Sequence, residues 1–109
     1  MIEPILGSEY AEKVLMFLSV RERGYAREIA SFFQVDVSTI QNQLRKFELG
    51  GVVVSFKYGR TRVYQFNPSY IFLPELKALL GKAFSFYPLE EIERLKMNRR
   101  RPRRAGKPL

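Results

Sequence analysis

The 109-residue chain has no cysteine and no histidine. The first absence removes disulfides and thiol nucleophiles, the second removes imidazole acid-base chemistry, and together they remove the usual zinc and copper ligand sets. Metal sensing, metal-dependent chemistry and a bound cofactor are therefore not expected. No constellation pairs a nucleophile with a base, so the chain does not read as an enzyme. No apolar stretch approaches the length needed to cross a bilayer, and no basic segment leads into an apolar run with a cleavage site. A soluble, cytoplasmic protein with no membrane partner is expected, and the lack of cysteine suits a reducing compartment.

What is present is positive charge, 19 Lys and Arg against 11 Asp and Glu, but its distribution is uneven. Residues 99–109 hold Arg99, Arg100, Arg101, Arg103, Arg104 and Lys107 with no acid. The preceding 98 residues carry 13 bases against 11 acids, so the body is nearly balanced. Any case for nucleic acid there must rest on where the bases sit, not on how many there are.

Along the body the apolar period is mostly helical. Ser8 is placed to cap a helix whose face holds Tyr10, Val14, Phe17 and Leu18, and Gly24 is the expected stop. A second helix is expected over Ala26 to Phe33, burying Ile29, Ala30 and Phe33. Gln34 and Val35 form a turn, and the Asp36 carboxylate is placed to accept from free amides near Ser38 and Thr39. The third helix, from Val37, buries Ile40, Leu44 and Phe47 and turns Ser38, Thr39, Gln41, Asn42 and Arg45 outward, with Gly50 and Gly51 ending it.

Val52 to Lys57 and Thr61 to Asn67 are β-branched and aromatic, and Lys57, Tyr58, Gly59 and Arg60 form the turn between them. After Pro68, the segment from Leu73 to Tyr87 returns to helical spacing, with Leu76, Leu79, Leu80, Ala83 and Phe84 as a broad apolar stripe. Pro88 opens a last helix whose first turn is acidic, at Glu90, Glu91 and Glu93, and whose end is basic, at Arg94, Lys96 and Arg99. Adjacent helical residues point about 100 degrees apart, so Glu90 and Glu91 complement the dipole and are not an acid-base pair. The fold class is mainly α with a small β-hairpin, α+β.

A helix pair followed at once by a hairpin with a basic tip is an arrangement for reading duplex DNA, the second helix entering the major groove. Asn and Gln can bond bidentately to adenine and Arg to guanine, which makes Ser38, Thr39, Gln41, Asn42 and Arg45 candidate base or phosphate contacts. Lys57, Arg60 and Arg62 are candidate backbone or minor-groove contacts, although cations also keep edge strands from pairing with other chains. Tyr58 either donates to a phosphate or fills the turn. The tail from Arg99 cannot bury a core and is expected to be disordered when unbound, a counterion-releasing arm. Its Arg101-Pro102-Arg103 and Gly106-Lys107-Pro108 have a partial likeness to an AT-hook without that motif's glycine-flanked core.

Over roughly residues 9–70 the chain resembles the winged helix-turn-helix of the ArsR-like bacterial and archaeal regulators. The residues that carry the resemblance are Arg27-Glu28-Ile29-Ala30, Asp36, Ser38-Thr39-Ile40, Leu44, Gly51-Val52-Val53, and Gly59-Arg60 leading to Val63-Tyr64-Gln65-Phe66-Asn67. The resemblance implies a homodimeric, nucleoid-associated DNA-binding regulator, acting as a repressor and paired through its first helix and the helix after the wing. Metal-sensing members carry cysteines at positions that fall near Tyr25, Arg27 and Ala30 here, and none of these can ligate a metal in that manner. A DNA-binding unit is then expected over 1–68, dimerising helices over 69–98 and the basic tail over 99–109. Val14, Phe17, Leu76, Leu79, Leu80, Ala83 and Phe84 are the candidate dimer interface, or they seal the monomer's own core. A protein-interaction module and a nonspecific architectural DNA- or RNA-binding protein are the alternative functions.

Overall fold

Ser8 is extended, and its hydroxyl accepts a hydrogen bond from the Ala11 amide at 3.1 Å, starting the helix its position foretells. In the computed structural model, which describes residues 1–97, a short α1 (Glu3–Leu6) precedes this helix, α2 (Glu9–Arg21). Then come β1 (Gly24–Tyr25), α3 (Ala26–Phe33), α4 (Val37–Leu49), β2 (Val53–Tyr58), β3 (Thr61–Phe66), α5 (Leu73–Ser85) and α6 (Leu89–Met97). The architecture is α+β, mainly helical with one three-stranded antiparallel sheet in the order β1-β3-β2. Arg99 and the rest of the basic tail lie outside the described residues.

The helix α2 is the centre of the core and not a one-faced surface helix. Ala11, Val14, Leu15, Met16, Phe17 and Leu18 are all buried, while Tyr10, expected on the buried face, is only half-buried. A helix apolar on most sides needs cover on most sides, and α1, α4, α5 and α6 supply it. Leu80 and Ala83 of α5 and Leu95 of α6 join the same apolar cluster as Ile29 and Ala30 of α3 and Ile40 and Leu44 of α4. One core therefore runs across the boundary expected at residue 68. Among the described residues no helix is long and apolar enough to cross a membrane.

Burial divides the residues that were expected either to pair two copies or to seal the monomer's own core. Val14 and Phe17 are 0% exposed, Leu80 is 0% and Ala83 is 5%, so these four offer no surface to a second copy. Leu76, Leu79 and Phe84 are half-buried and keep some. Both α5 and α6 pack on α2 and use the shared stripe internally.

Two termini differ from expectation. The stop of α2 is Glu22, left-handed at φ 75°, whose amide bonds to the Leu18 carbonyl at 2.9 Å. Gly24 instead opens β1 and pairs with Tyr64, and a Cβ there would stand 2.7 Å from the Phe17 ring. Glycine is required for that approach and not for ending the helix. At α4, Asp36 occupies the N-cap position but accepts no backbone amide; its carboxylate takes the Ser38 hydroxyl at 3.0 Å.

Helices α3 and α4 are joined by a turn in which Gln34 is left-handed at φ 59° and Val35 returns its amide to the Ala30 carbonyl at 3.0 Å. Ile29, Ala30, Ile40 and Leu44 are buried, whereas Phe33 and Phe47 are half-buried against the core. At the end of α4, Gly51 adopts φ 80°, and Val52 bonds back to the Phe47 carbonyl at 2.9 Å. The following hairpin is tighter than expected: Lys57 and Tyr58 belong to β2, and only Gly59, at φ 61°, and Arg60 make the turn.

Candidate nucleic-acid interface

The register of the hairpin decides which residues share a side. Val53 pairs with Phe66, Ser55 with Tyr64 and Lys57 with Arg62, and directly opposed residues of antiparallel strands point the same way. Val53 and Phe66 enter the core, so this is the face turned to the helices. Val54 with Gln65, Phe56 with Val63 and Tyr58 with Thr61 point to the other side.

Helix α4 and the inner face of the hairpin meet through a polar chain. Arg62 Nη1 donates to Ser55 Oγ at 2.9 Å, and Ser55 donates to Glu48 Oε2 at 2.8 Å. Asn67 holds the base of the hairpin, its Nδ2 donating to the Gly51 carbonyl at 2.9 Å and its amide to the Val52 carbonyl at 2.9 Å. Tyr64 lies between the two elements. Burial raises its hydroxyl pKa above the ordinary value, the Glu48 charge adds to this, and the Arg62 and Arg45 charges oppose it. Cations from α4 and from the hairpin thus act on one point.

Of the expected reading residues, Ser38, Gln41, Asn42 and Arg45 are exposed and Thr39 is half-buried. Arg45 Nη1 donates to Asn42 Oδ1 at 3.2 Å, so the two already lie side by side. The Ser38 hydroxyl donates to Asp36 Oδ2. On the hairpin, Lys57, Tyr58, Arg60 and Arg62 are all exposed, but the structure splits them. Lys57 and Arg62 share the α4 side, Arg60 is at the tip, and Tyr58 is on the far side, with its hydroxyl accepting from Arg23 at 3.3 Å.

Arg23 is the member that sequence reasoning missed. Its guanidinium carbon lies 6.0 Å from the Tyr58 ring centroid. It reads as the charged end of a helix, and only the pairing of β1 with β3 brings it to the hairpin.

A separate cavity of about 410 Å3 is lined by Glu3, Glu9, Glu12 and Glu91 together with Phe33 and Tyr87. Glu12, 3% exposed, accepts from the Met1 ammonium at 3.0 Å, the Ile2 amide at 2.9 Å and the Tyr87 hydroxyl. Burial and that contact push the Tyr87 hydroxyl pKa above its ordinary value. The same cavity holds two cations, the Met1 ammonium, which pairs with Glu3 and Glu12, and Lys13, so its carboxylates outnumber its cations. The chain has no significant match to any protein-family model, to any curated protein or to any solved structure.

Proposed function

We propose that the protein is a sequence-specific regulator of transcription that binds duplex DNA in the winged helix-turn-helix manner, as a homodimeric repressor. Helix α4 enters the major groove by its first two turns, and the β2–β3 hairpin acts as the wing on the backbone or minor groove. The observation that carries this reading is the side-by-side placement of Asn42 and Arg45 on the exposed face of α4, with Gln41 beside them and Arg62 on the adjoining hairpin face. Asn and Arg side chains are the ones whose geometry distinguishes adenine and guanine edges. The near-neutral body supports selective readout over charge-driven binding.

For pairing of two copies, the available surface is the half-buried Leu76, Leu79 and Phe84 of α5 with Phe72 and Phe86 at its ends and Leu89 at the start of α6, which are 59%, 67% and 70% exposed. The same exposure supports a second reading, in which these residues grip a different protein and α4 meets no DNA. Light scattering separates the two: a dimer supports the regulator, while a monomer that shifts no duplex supports the interaction module.

Selecting bound sequences from random duplex at physiological salt tests the main reading in one step. A conserved pseudo-palindrome with half-sites about one helical turn apart is expected. On the selected site, Asn42→Ala should weaken binding about tenfold while leaving random duplex nearly unaffected. Arg60→Ala should weaken both sequences alike. Equal losses for Asn42→Ala on both sequences would remove the base-reading role.

A further inference from the structure

Among the described residues, the outer face of the sheet carries three exposed aromatic rings, Tyr25, Phe56 and Tyr58. Tyr25 of β1 and Phe56 of β2 both pair with Val63 of β3, so the three stand in one row across the sheet. Val63 is buried between its neighbours, 8% exposed, although it belongs to the side away from the core. The flanking rings stay open: Tyr25 is 40% exposed, Phe56 43%, and Tyr58, two residues further along the same strand, 56%. Such rings are costly to leave in water unless they serve contact.

The border of this face is basic. Arg23 stands over Tyr58 and gives its hydroxyl one of five N–H donors, which leaves others available for an anion. Arg60 projects at the hairpin tip beyond Tyr58. The neighbouring acid Glu28 is turned to the main chain, accepting from the Tyr25 amide at 3.3 Å.

We propose that this face binds single-stranded DNA by stacking unpaired bases on Tyr25, Phe56 and Tyr58, with Arg23 and Arg60 on the phosphates. Aromatic faces attract base faces, which a duplex hides and a single strand offers. Phe56 and Tyr58 lie about 6.7 Å apart along the strand, roughly twice the rise between stacked bases. A stretched strand can therefore place one base on each ring. The choice of DNA over RNA rests on the duplex-reading proposal, since Arg60 at the tip is common to both surfaces and a locally opened duplex would present its free strand on the outer side.

The test is an anisotropy titration of the full chain with labelled oligothymidylate of about 12 nucleotides at physiological salt. Tyr25→Ala and Phe56→Ala should each weaken binding between about fivefold and 150-fold, whereas Asn42→Ala should leave it unchanged. These substitutions change no charge, so they do not alter any contribution of the basic tail. Phe56→Leu keeps apolar cover over Val63 while removing the ring, and should lose affinity as Phe56→Ala does, with an unaltered melting temperature. Four results would overturn the proposal: no binding by the wild type, equal binding by the ring variants, tighter binding of oligouridylate than of oligothymidylate, or a changed sedimentation mass in the ring variants showing that the face joins two copies. Loss of selected-duplex binding by Asn42→Ala is read on a separate titration, so either proposal can fail alone.

Discussion

Arg21 on α2 and Arg45 on α4 each donate a side-chain hydrogen bond, but they end on different kinds of partner. Arg21 Nε reaches the Leu95 carbonyl at 2.8 Å, 74 positions along the chain, and its guanidinium lies 4.7 Å and 4.8 Å from the rings of Phe17 and Phe32. Arg94 answers from α6, covering Phe32 from 4.3 Å and donating to the Phe32 carbonyl at 2.9 Å. Among the described residues, Arg45 donates to Asn42 alone, three residues away, at an exposed site. A carbonyl fixed in the main chain cannot turn away, while an exposed side-chain partner can be exchanged for water or a ligand at little cost. The arginines around α2 hold the helices together; those around α4 are placed for exchange.

That contrast can be broken by substitution. Arg21→Ala should be the most damaging, about 3 kcal/mol in urea unfolding, because it removes carbonyl bonds, ring contacts and the packing of the aliphatic stem together. A loss under about 1 kcal/mol would erase the distinction. Gly24→Ala comes next, at about 2 kcal/mol, since the added methyl meets the buried Phe17 ring. An unchanged unfolding midpoint would show that the ring yields. Arg45→Ala should cost less than about 0.5 kcal/mol of stability yet weaken the selected duplex about tenfold, the reverse of the Arg21 pattern.

The smallest effect expected is alkaline. The raised pKa of Tyr87 means that its neutral form is favoured by folding, so this stabilisation is complete below the ordinary tyrosine value and is lost as pH climbs above it. Tyr87→Phe should flatten part of the fall in melting temperature above about pH 10. Parallel wild-type and variant curves would mean that ionisation of Tyr87 is not resisted by the fold.

Local rules made much of this architecture legible. Ser8, Pro74 and Gly50 stand where helices begin or end, and the spacing of Ile40 and Leu44 fixed which side of α4 faces outward. Long-range pairing was not legible. A two-residue strand such as β1 is too short to alternate, and Glu22 carries no signal for a left-handed cap. Leu95 sits in a helix dominated by charge, and only the return of α6 onto α2 buries it completely. At the candidate site the reading residues followed from periodicity, whereas Arg23, the division of the hairpin into two faces and the Arg62–Ser55–Glu48 chain needed the register.

Asn67 and β1 moor the hairpin from both sides. One ties its base to the end of α4, and the other joins β3 to the residue directly before α3. Both ties restrain the hairpin against swinging independently of the helix beside it. In the duplex complex proposed here, the compliance needed to bring a phosphate to Arg60 would come mainly from the DNA, and stiff sequences flanking the site would be discriminated against without being touched.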